Sequence, residues 1–349
     1  MTKKILCIFI CLIILITILP SSSLSLNKIT IDPITYYTPE DIDIRDASYH
    51  KSTDGFRGEW WYFEGIFDNG YSIIIDISIF SNSWIGIVAL RMSIFNEGKE
   101  EFYKKDFYAL KELDASEVFP LVRISGNHIM SLDREIYNST GVWLYTVTID
   151  LDGQEANLKF TGTTKGYKGE VLRGWYGPVL PKADVEGTLI LNGEEINVIG
   201  LGYHEHAWDL RMPIIEWGWY WGKIVSESYC VFWTKMLQTR FSIQQYYSIL
   251  NQDNSGFVHI NPNCVDYKVT DFIINNRRII PTKFVLTVND PSNLIYINAT
   301  LNATDIEHIG LGLIRYWRYH VIVNGEITYG QNTEKIEDKV QIIELRRFR

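Results

Sequence analysis

Cysteine is scarce in this chain, with four among 349 residues. Cys7 and Cys11 sit inside an N-terminal apolar run, leaving Cys230 and Cys264 as the one pair available to an exported form. That excludes a disulfide framework of the kind that staples small secreted domains. A single Cys230–Cys264 bridge stays open, and would contribute about 3–4 kcal/mol in the chain-entropy picture. Positive charge is in deficit as well. Against 42 Asp+Glu there are 33 Lys+Arg, a formal charge of −9, which suits solubility and not the phosphate backbone of a nucleic acid. Also missing are a Gly-x-Ser-x-Gly elbow, a phosphate-cradling glycine loop and a helix-borne His-Glu-x-x-His. No long helical periodicity stands out.

The chain begins with Lys3 and Lys4, then an unbroken apolar run from Ile5 to Leu19, then Pro20 and several serines. A run of about 15 residues is short for a membrane span, which needs roughly 20. Residues 1–25 therefore read as a secretory signal peptide, and the protein as secreted or at the cell surface. An uncleaved anchor through residues 5–19 is the alternative. Asn138-Ser139-Thr140, Asn298-Ala299-Thr300 and Asn302-Ala303-Thr304 are glycosylation sequons that fit export. The locally basic end, Glu344 to Arg349, reads as a solvated tail.

What the chain has in abundance is aromatic and β-branched residues, arranged with period two. Gly58–Phe67, Gly70–Phe80 and Ile85–Phe95 read as successive strands. Trp143–Leu151 and Ala156–Thr161 pair across Asp152-Gly153, and Thr188–Leu191 and Glu195–Leu201 across Asn192-Gly193. Val321–Val323 and Glu326–Tyr329 repeat the device across Asn324-Gly325. Residues 104–118 allow a short helix or a loop, and residues 26–56 an irregular lead-in. Such a pattern predicts an all-β protein of barrels or sandwiches. A length of 349 residues suits two consecutive β domains, taken here as 45–210 and 211–349 with a junction near Leu210–Pro213.

Near the middle lies Gly202-Tyr203-His204-Glu205-His206-Ala207-Trp208, followed by Trp217-Gly218-Trp219-Tyr220-Trp221-Gly222. On an extended strand His204, His206 and Trp208 point one way and Tyr203, Glu205 and Ala207 the other. Proton donors beside aromatic faces suit the making and shielding of positive charge on an apolar substrate. His204, Glu205, His206 and Asp209 are the general-acid candidates. His204-x-His206 offers two metal ligands, short of the three that catalytic zinc requires, so neither a metal nor another cofactor is expected. The segment Glu59-Trp60-Trp61-Tyr62-Phe63 opens the first strong strand, with one face free to line a pocket and the other to pack a core.

These two segments together resemble the hydroxyneurosporene synthase-like proteins, the group of the carotenoid 1,2-hydratases with AttH-like proteins and tocopherol cyclases as relatives. The resemblance runs over roughly residues 45–349. It implies two consecutive lipocalin-like (calycin) β-barrel domains with a ligand cavity at or near their interface. It also implies catalysis by the motif's second histidine and its tryptophan, at His206 and Trp208, with Glu205, His204 and Tyr229 in support. Glu205 stands where the hydratases commonly carry Asp, Ala207 where they carry Asn, and no aspartate follows Tyr229 at the family's Tyr-x-Asp step. Glu59, Trp60, Trp61, Tyr62, Tyr203, Trp219 and Trp221 are the expected ligand-binding residues.

Three functional expectations follow. The first is an enzyme that hydrates, cyclises or isomerises an isoprenoid- or polyene-like molecule with acid assistance. The second is a non-catalytic lipocalin-like carrier of a hydrophobic ligand, and the third a surface interaction module. The first two require His204, His206 and Trp208 to project together into an enclosed apolar chamber. Oligomeric state is left open by the sequence.

Overall fold

A computed structural model describes residues 37–53, 55–171, 174–211, 217–238, 244–252, 256–309 and 314–348. The leader, with its possible membrane anchor, and Pro213 lie outside these residues. Residues Tyr36–Arg349 form one compact unit.

That unit is almost entirely β-structure. Its first sheet uses β1 (Glu40–Asp41), β2 (Arg57–Phe67), β3 (Tyr71–Ser81), β4 (Gly86–Asn96), β5 (Lys99–Ala109), β6 (Leu113–Ala115) and β7 (Leu121–Ile124). It continues through β8 (Asn127–Leu132), β9 (Leu144–Leu151), β10 (Gln154–Gly162), β11 (Tyr167–Val171), β12 (Gly174–Leu191) and β13 (Glu194–Arg211). One short helix, α1 (Arg134–Thr140), is capped by the Asp133 carboxylate and closed by Gly141 in the left-handed region. The second sheet uses β14 (Trp217–Val225), β15 (Tyr229–Gln238), β16 (Gln244–Gln252), β17 (Gly256–Ile260) and β18 (Val265–Asn275). It is completed by β19 (Arg278–Asp290), β20 (Ile295–His308), β21 (Ile314–Tyr329) and β22 (Asn332–Phe348).

The first sheet runs β5-β4-β3-β2-β13-β12-β10-β9-β8-β7-β6, and the second β17-β16-β15-β14-β22-β21-β20-β19-β18. All the pairings among the described residues are antiparallel. One sheet is nearly closed on itself and the other is half a barrel, an architecture consistent with two lipocalin-like barrels.

Turn chemistry sets much of this register. Asn192 and Gly193 both have positive φ, at 54° and 83°, and so do Asp152 and Gly153, at 56° and 75°. Two left-handed residues in a two-residue loop match the twist of the strands they join. The Asn324-Gly325 expectation was wrong. There is no hairpin there, because β21 runs straight through it with a register shift between Val323 and Gly325. Gly325 is present for close approach: a Cβ on it would lie 2.1 Å from the Asn298 carbonyl oxygen. Residues 104–118 are also a correction, since β5 continues to Ala109 before a single 3-10 turn at Leu110–Glu112 and β6.

Three apolar cores result. The first fills the first barrel with Trp61, Phe63, Ile73, Ile75, Tyr145 and Phe160 among others. The second fills the other sheet around Trp233, Phe284 and Trp317. The third lies between the sheets, where Tyr62, Ile74, Tyr203 and Ala207 meet Trp221, Phe232, Met236 and Ile342. Consecutive residues therefore serve different cores. Ile73 and Ile75 face the barrel while Ile74 faces the second sheet, which explains the runs on β3 that are apolar on both sides.

The cysteines do not pair. Both are free thiols, and Cys230 is buried with its Sγ–H donating to the Pro181 carbonyl oxygen. Asn138, Asn298 and Asn302 are exposed.

Polar cross-links also tie the sheets. Lys223 on β14 forms an ion pair with Glu64 on β2, both side chains 2% exposed, and the Tyr62 hydroxyl donates to the other Glu64 oxygen at 3.0 Å. Ser72 and His320 bond across the same divide at 2.9 Å. Truncating one member of a buried ion pair leaves an uncompensated charge. Lys223→Ala is expected to lose about 3–5 kcal/mol of stability, read from denaturant midpoints. Lys223→Met combined with Glu64→Leu is expected to recover most of it. A midpoint unchanged in the single variant would remove this pair from the account of how the sheets are held.

Candidate functional site

Strand β13 is the shared wall of two interiors. It pairs with β2 on one edge and β12 on the other, and its faces look into the first barrel and into the space between the sheets. Gly202 lets this wall pack closely, since a Cβ there would lie 2.3 Å from Val185 and 2.8 Å from Phe160. Beyond it the side chains alternate. A bulge between Ala207 and Leu210, with Asp209 at φ 54°, resets the alternation, so that Ala207 and Leu210 share a face.

Between the sheets lies a cavity of about 270 Å³. Trp60, Tyr62, Tyr176, Trp219 and Trp221 supply aromatic walls, and Glu205 supplies a carboxyl group. Tyr203 is fully buried immediately behind Glu205, at 2.7 Å from it. Thus Glu205, Trp60, Tyr62, Trp219 and Trp221 line the cavity as ligand-facing groups, with Tyr203 bonded to one of them.

Glu205 is the chemically distinctive group here. Its Oε2 accepts from the hydroxyls of both Tyr176 and Tyr203, and its Oε1 from the Trp60 indole at 3.2 Å. The two phenol oxygens are themselves 2.7 Å apart, and the Trp221 indole donates to Tyr176 at 2.9 Å. Three oxygens thus form a closed triangle. When Glu205 is ionised, two phenol protons must serve three contacts. When it is protonated, each oxygen has one proton and each contact can hold one hydrogen bond. Burial pushes the Glu205 carboxyl up to about 7, against the opposing pull of the Tyr176 and Tyr203 bonds. Both tyrosines are pushed well above their ordinary range, first by burial and then by the Glu205 charge. A carboxyl half-protonated near neutrality is suited to proton transfer.

The opposite face of β13 holds the histidines, and here the expectation of a shared chamber is corrected. His204 is fully buried in the first barrel, stacked on Phe63 at 3.9 Å with its Nδ1 3.0 Å from the Tyr62 carbonyl. Burial holds it down at about 3. His206 is stacked on Trp61 at 4.6 Å and next to Trp208 at 5.0 Å. Neither histidine nor Trp208 is among the cavity-lining residues, nor are Glu59 and Trp61. Period two was right and the choice of face was not. Tyr229 packs in the second core against Tyr329, away from the cavity. Asp209 is taken out of the cavity by the bulge, which puts Leu210 there instead.

His206 has its own partners. Its Nδ1–H donates to the Asp46 carbonyl at 2.7 Å, and its Nε2 lies 2.9 Å from Glu59 Oε1. A carbonyl can only accept, so a neutral His206 carries its proton on Nδ1 and presents a lone pair to Glu59. A proton must then lie between the two. Burial pushes His206 down, while the Glu59 bond opposes that. The His50 backbone N–H also donates to Glu59, and the His50 ring stacks on Trp208 at 4.8 Å. Among the described residues, His50, Glu59 and His206 bring ligand atoms within 4.8 Å of one another and could hold a metal ion. His204, the other histidine of the His204-x-His206 spacing, is outside this set, because its ring bonds the Tyr62 carbonyl instead.

Sequence reasoning missed Tyr176 and the charged residues of the cavity, Asp76, Arg91, Lys105, Arg318, Glu344 and Arg346. None of these belongs to a recognisable motif. Their signal is cross-strand register, which a linear reading does not contain.

No family model matches this chain, and no curated protein matches it by sequence. Solved structures do share its architecture. An AttH protein (NE1406) from Nitrosomonas europaea aligns with a TM-score of 0.58 at 14% identity, covering 88% of this chain and 96% of that one. CghA in complex with Sch210972 aligns at 0.55 and 9% identity, covering 83% and 87%. Kievitone hydratase from Nectria haematococca aligns at 0.54 and 11% identity, covering 83% and 88%. The fold is that of the AttH-like proteins.

A native carboxyl pushed up to about 7 keeps its proton between the ordinary glutamate range, near 4.5, and 7, while the unfolded chain has already released it. The native state then binds more protons, so stability falls as pH rises across that window. The buried His204 and His320, held down at about 3 and about 4, contribute in the opposite sense. The difference between wild type and Glu205→Gln isolates the carboxyl. Wild type is expected to lose stability relative to the variant from pH 4.5 to 7 in parallel denaturation series. A constant difference would show that Glu205 titrates normally.

Proposed function

We propose that the protein is an enzyme acting on a hydrophobic, unsaturated molecule of isoprenoid or polyene character, by acid-assisted hydration, cyclisation or isomerisation. The single observation that carries this reading is Glu205: a carboxyl group set to hold a proton near neutrality, inside a cavity walled by indoles and phenols. The fold it shares with kievitone hydratase supports the reading at the level of architecture.

In this reading Glu205 is the proton donor, a role the sequence divided among several residues with His206 first. The carboxyl O–H bond breaks as the proton passes to a substrate double bond or to an oxygen conjugated with it. The Tyr176 and Tyr203 hydroxyls, already bonded to Oε2, stabilise the carboxylate that remains. The Trp60, Trp219 and Trp221 rings hold the apolar chain and stabilise cationic character by up to about 2 kcal/mol each when desolvated. The electron-poor centre is then quenched by water or by a second double bond, and the proton lost in the closing step returns to Glu205. His206, Glu59 and Trp208 act on the far side of β13, where they fix the strand that presents the carboxyl. They are positioning residues.

A positioned general acid is worth about 10²–10⁴-fold in rate. Glu205→Gln is expected to lower kcat by that much on a panel of polyenes and terpenoid alkenes assayed by mass spectrometry. Because the protonated form is active, wild-type kcat falls as pH rises through about 7, and the residual rate of the variant lacks that limb. Undiminished turnover in Glu205→Gln would end this assignment. A ligand extracted chemically unaltered, with no product from any substrate in the panel, would favour a carrier of hydrophobic molecules.

A further inference from the structure

The charged residues of the cavity form a row. Glu205 on β13 stands opposite Tyr62 on β2, Tyr62 opposite Asp76 on β3, Asp76 opposite Arg91 on β4, and Arg91 opposite Lys105 on β5. All five line the cavity. Neighbouring strands are about 4.8 Å apart, so the backbone of Arg91 is about 14 Å from that of Glu205. The facing sheet has the same gradient. Its register runs from Trp221 on β14 through Glu344 on β22 to Arg318 on β21. Trp221 bonds Tyr176 beside Glu205, whereas the Arg318 guanidinium lies 5.3 Å over the Tyr62 ring. The cavity therefore has an aromatic, acid-bearing end and a guanidinium end.

The guanidinium end is under-satisfied. Arg91 is 4% exposed and Arg318 2%. Among the described residues, Arg91 Nε and Nη2 and Arg318 Nη1 are buried without a hydrogen-bond partner. Arg318 uses Nε on Glu344 at 2.9 Å and Nη2 on the Tyr316 hydroxyl at 3.1 Å, which leaves its third nitrogen over. Asp76, the carboxylate beside Arg91, accepts from the Ser78 hydroxyl. The lining carries four cationic side chains against three carboxyl groups. Burying a cation with unused donors is costly unless an anion completes it, and a guanidinium fork matches the geometry of a carboxylate. Arg346 stands apart from this end, with its guanidinium 4.5 Å over the Trp219 ring, and burial pulls it down to about 10 despite the neighbouring Tyr316 and Glu344.

We infer that the molecule taken by this cavity is an amphipathic anion. Its apolar, unsaturated body lies between Trp60, Trp219 and Trp221, and a carboxylate about three strand spacings from the reacting carbon is bound by Arg91 and Arg318. The inference rests on the enzymatic reading above for the identity of the reacting end. It adds that a neutral hydrocarbon is the poorer ligand, because it leaves the three guanidinium nitrogens unsatisfied, and that the arginines fix which double bond reaches Glu205.

The test compares two polyenes that share one carbon skeleton, all-trans-retinoate and all-trans-retinol, by quenching of tryptophan fluorescence in the protein at pH 8. Retinoate is expected to bind at least tenfold more tightly, with an affinity that falls as salt is raised. Arg91→Met and, separately, Arg318→Met combined with Glu344→Gln, which leaves no uncompensated charge from the buried Arg318–Glu344 pair, are expected to bring retinoate down to the affinity of retinol while leaving retinol within about twofold, a margin narrower than the tenfold effect sought. The wild-type comparison needs no variant to fold. Equal affinity of the two polyenes in wild type, or an equal loss of both in the arginine variants, overturns the anion and leaves the hydrophobic cavity standing. No quenching by either polyene overturns both readings.

Discussion

Strand β13 between Gly202 and Leu210 has almost no contact with solvent, and the molecule is organised around that constraint. Each side chain on it must be accommodated in one of two interiors. One is a nearly closed barrel of large apolar groups, and the other is the gap to a second sheet. The pleat assigns Phe63 and Tyr145 to His204, and Trp61 and Trp208 to His206. It assigns Tyr176, Trp60 and Trp221, directly or through one another, to Glu205. The same residue-by-residue alternation therefore yields an imidazole kept neutral by burial on one side and a carboxyl kept partly protonated on the other. Both shifts arise from desolvation, and they take opposite signs because one group gains charge on protonation and the other loses it.

The strands and most of their turns were legible in the sequence because they depend on local chemistry. Alternation and paired left-handed residues at Asn192-Gly193 and Asp152-Gly153 act over a few positions. Asn324-Gly325 has the same letters and a different cause, a close backbone crossing at Asn298. Nothing local separates the two cases. The two-sheet architecture was legible through the resemblance carried by the Trp-Trp-Tyr and His-Glu-His-Ala-Trp segments, and the shared fold of the AttH protein agrees with it.

The site was half legible. The sequence correctly divided the motif into two faces, since period two is a property of any extended strand. It could not say which face met the cavity, because that depends on where the second sheet docks. Two histidines and a tryptophan looked like the chemical side, yet His206 and Trp208 meet Asp46, Glu59 and His50 from the lead-in and from β2, and His204 meets the Tyr62 carbonyl and the Phe63 ring. The residue that the alternation placed opposite them, Glu205, is the one that lines the cavity. Arg91 and Arg318 were invisible for a stronger reason: they are 227 positions apart in the chain, as their numbers give directly, and only the facing of two sheets makes them neighbours of one space.

The double duty of β13 limits how the chain can vary. A substitution between Gly202 and Ala207 alters one interior and spares the other. Inserting or deleting a single residue there would turn the strand over, driving Glu205 into the packed ring stack around Phe63 and the imidazoles into the gap between the sheets. Neither interior could absorb the exchange. Length across this segment is thus more strictly constrained than composition, and divergent copies of the protein should differ there by replacement alone, with gaps displaced to the hairpin ends.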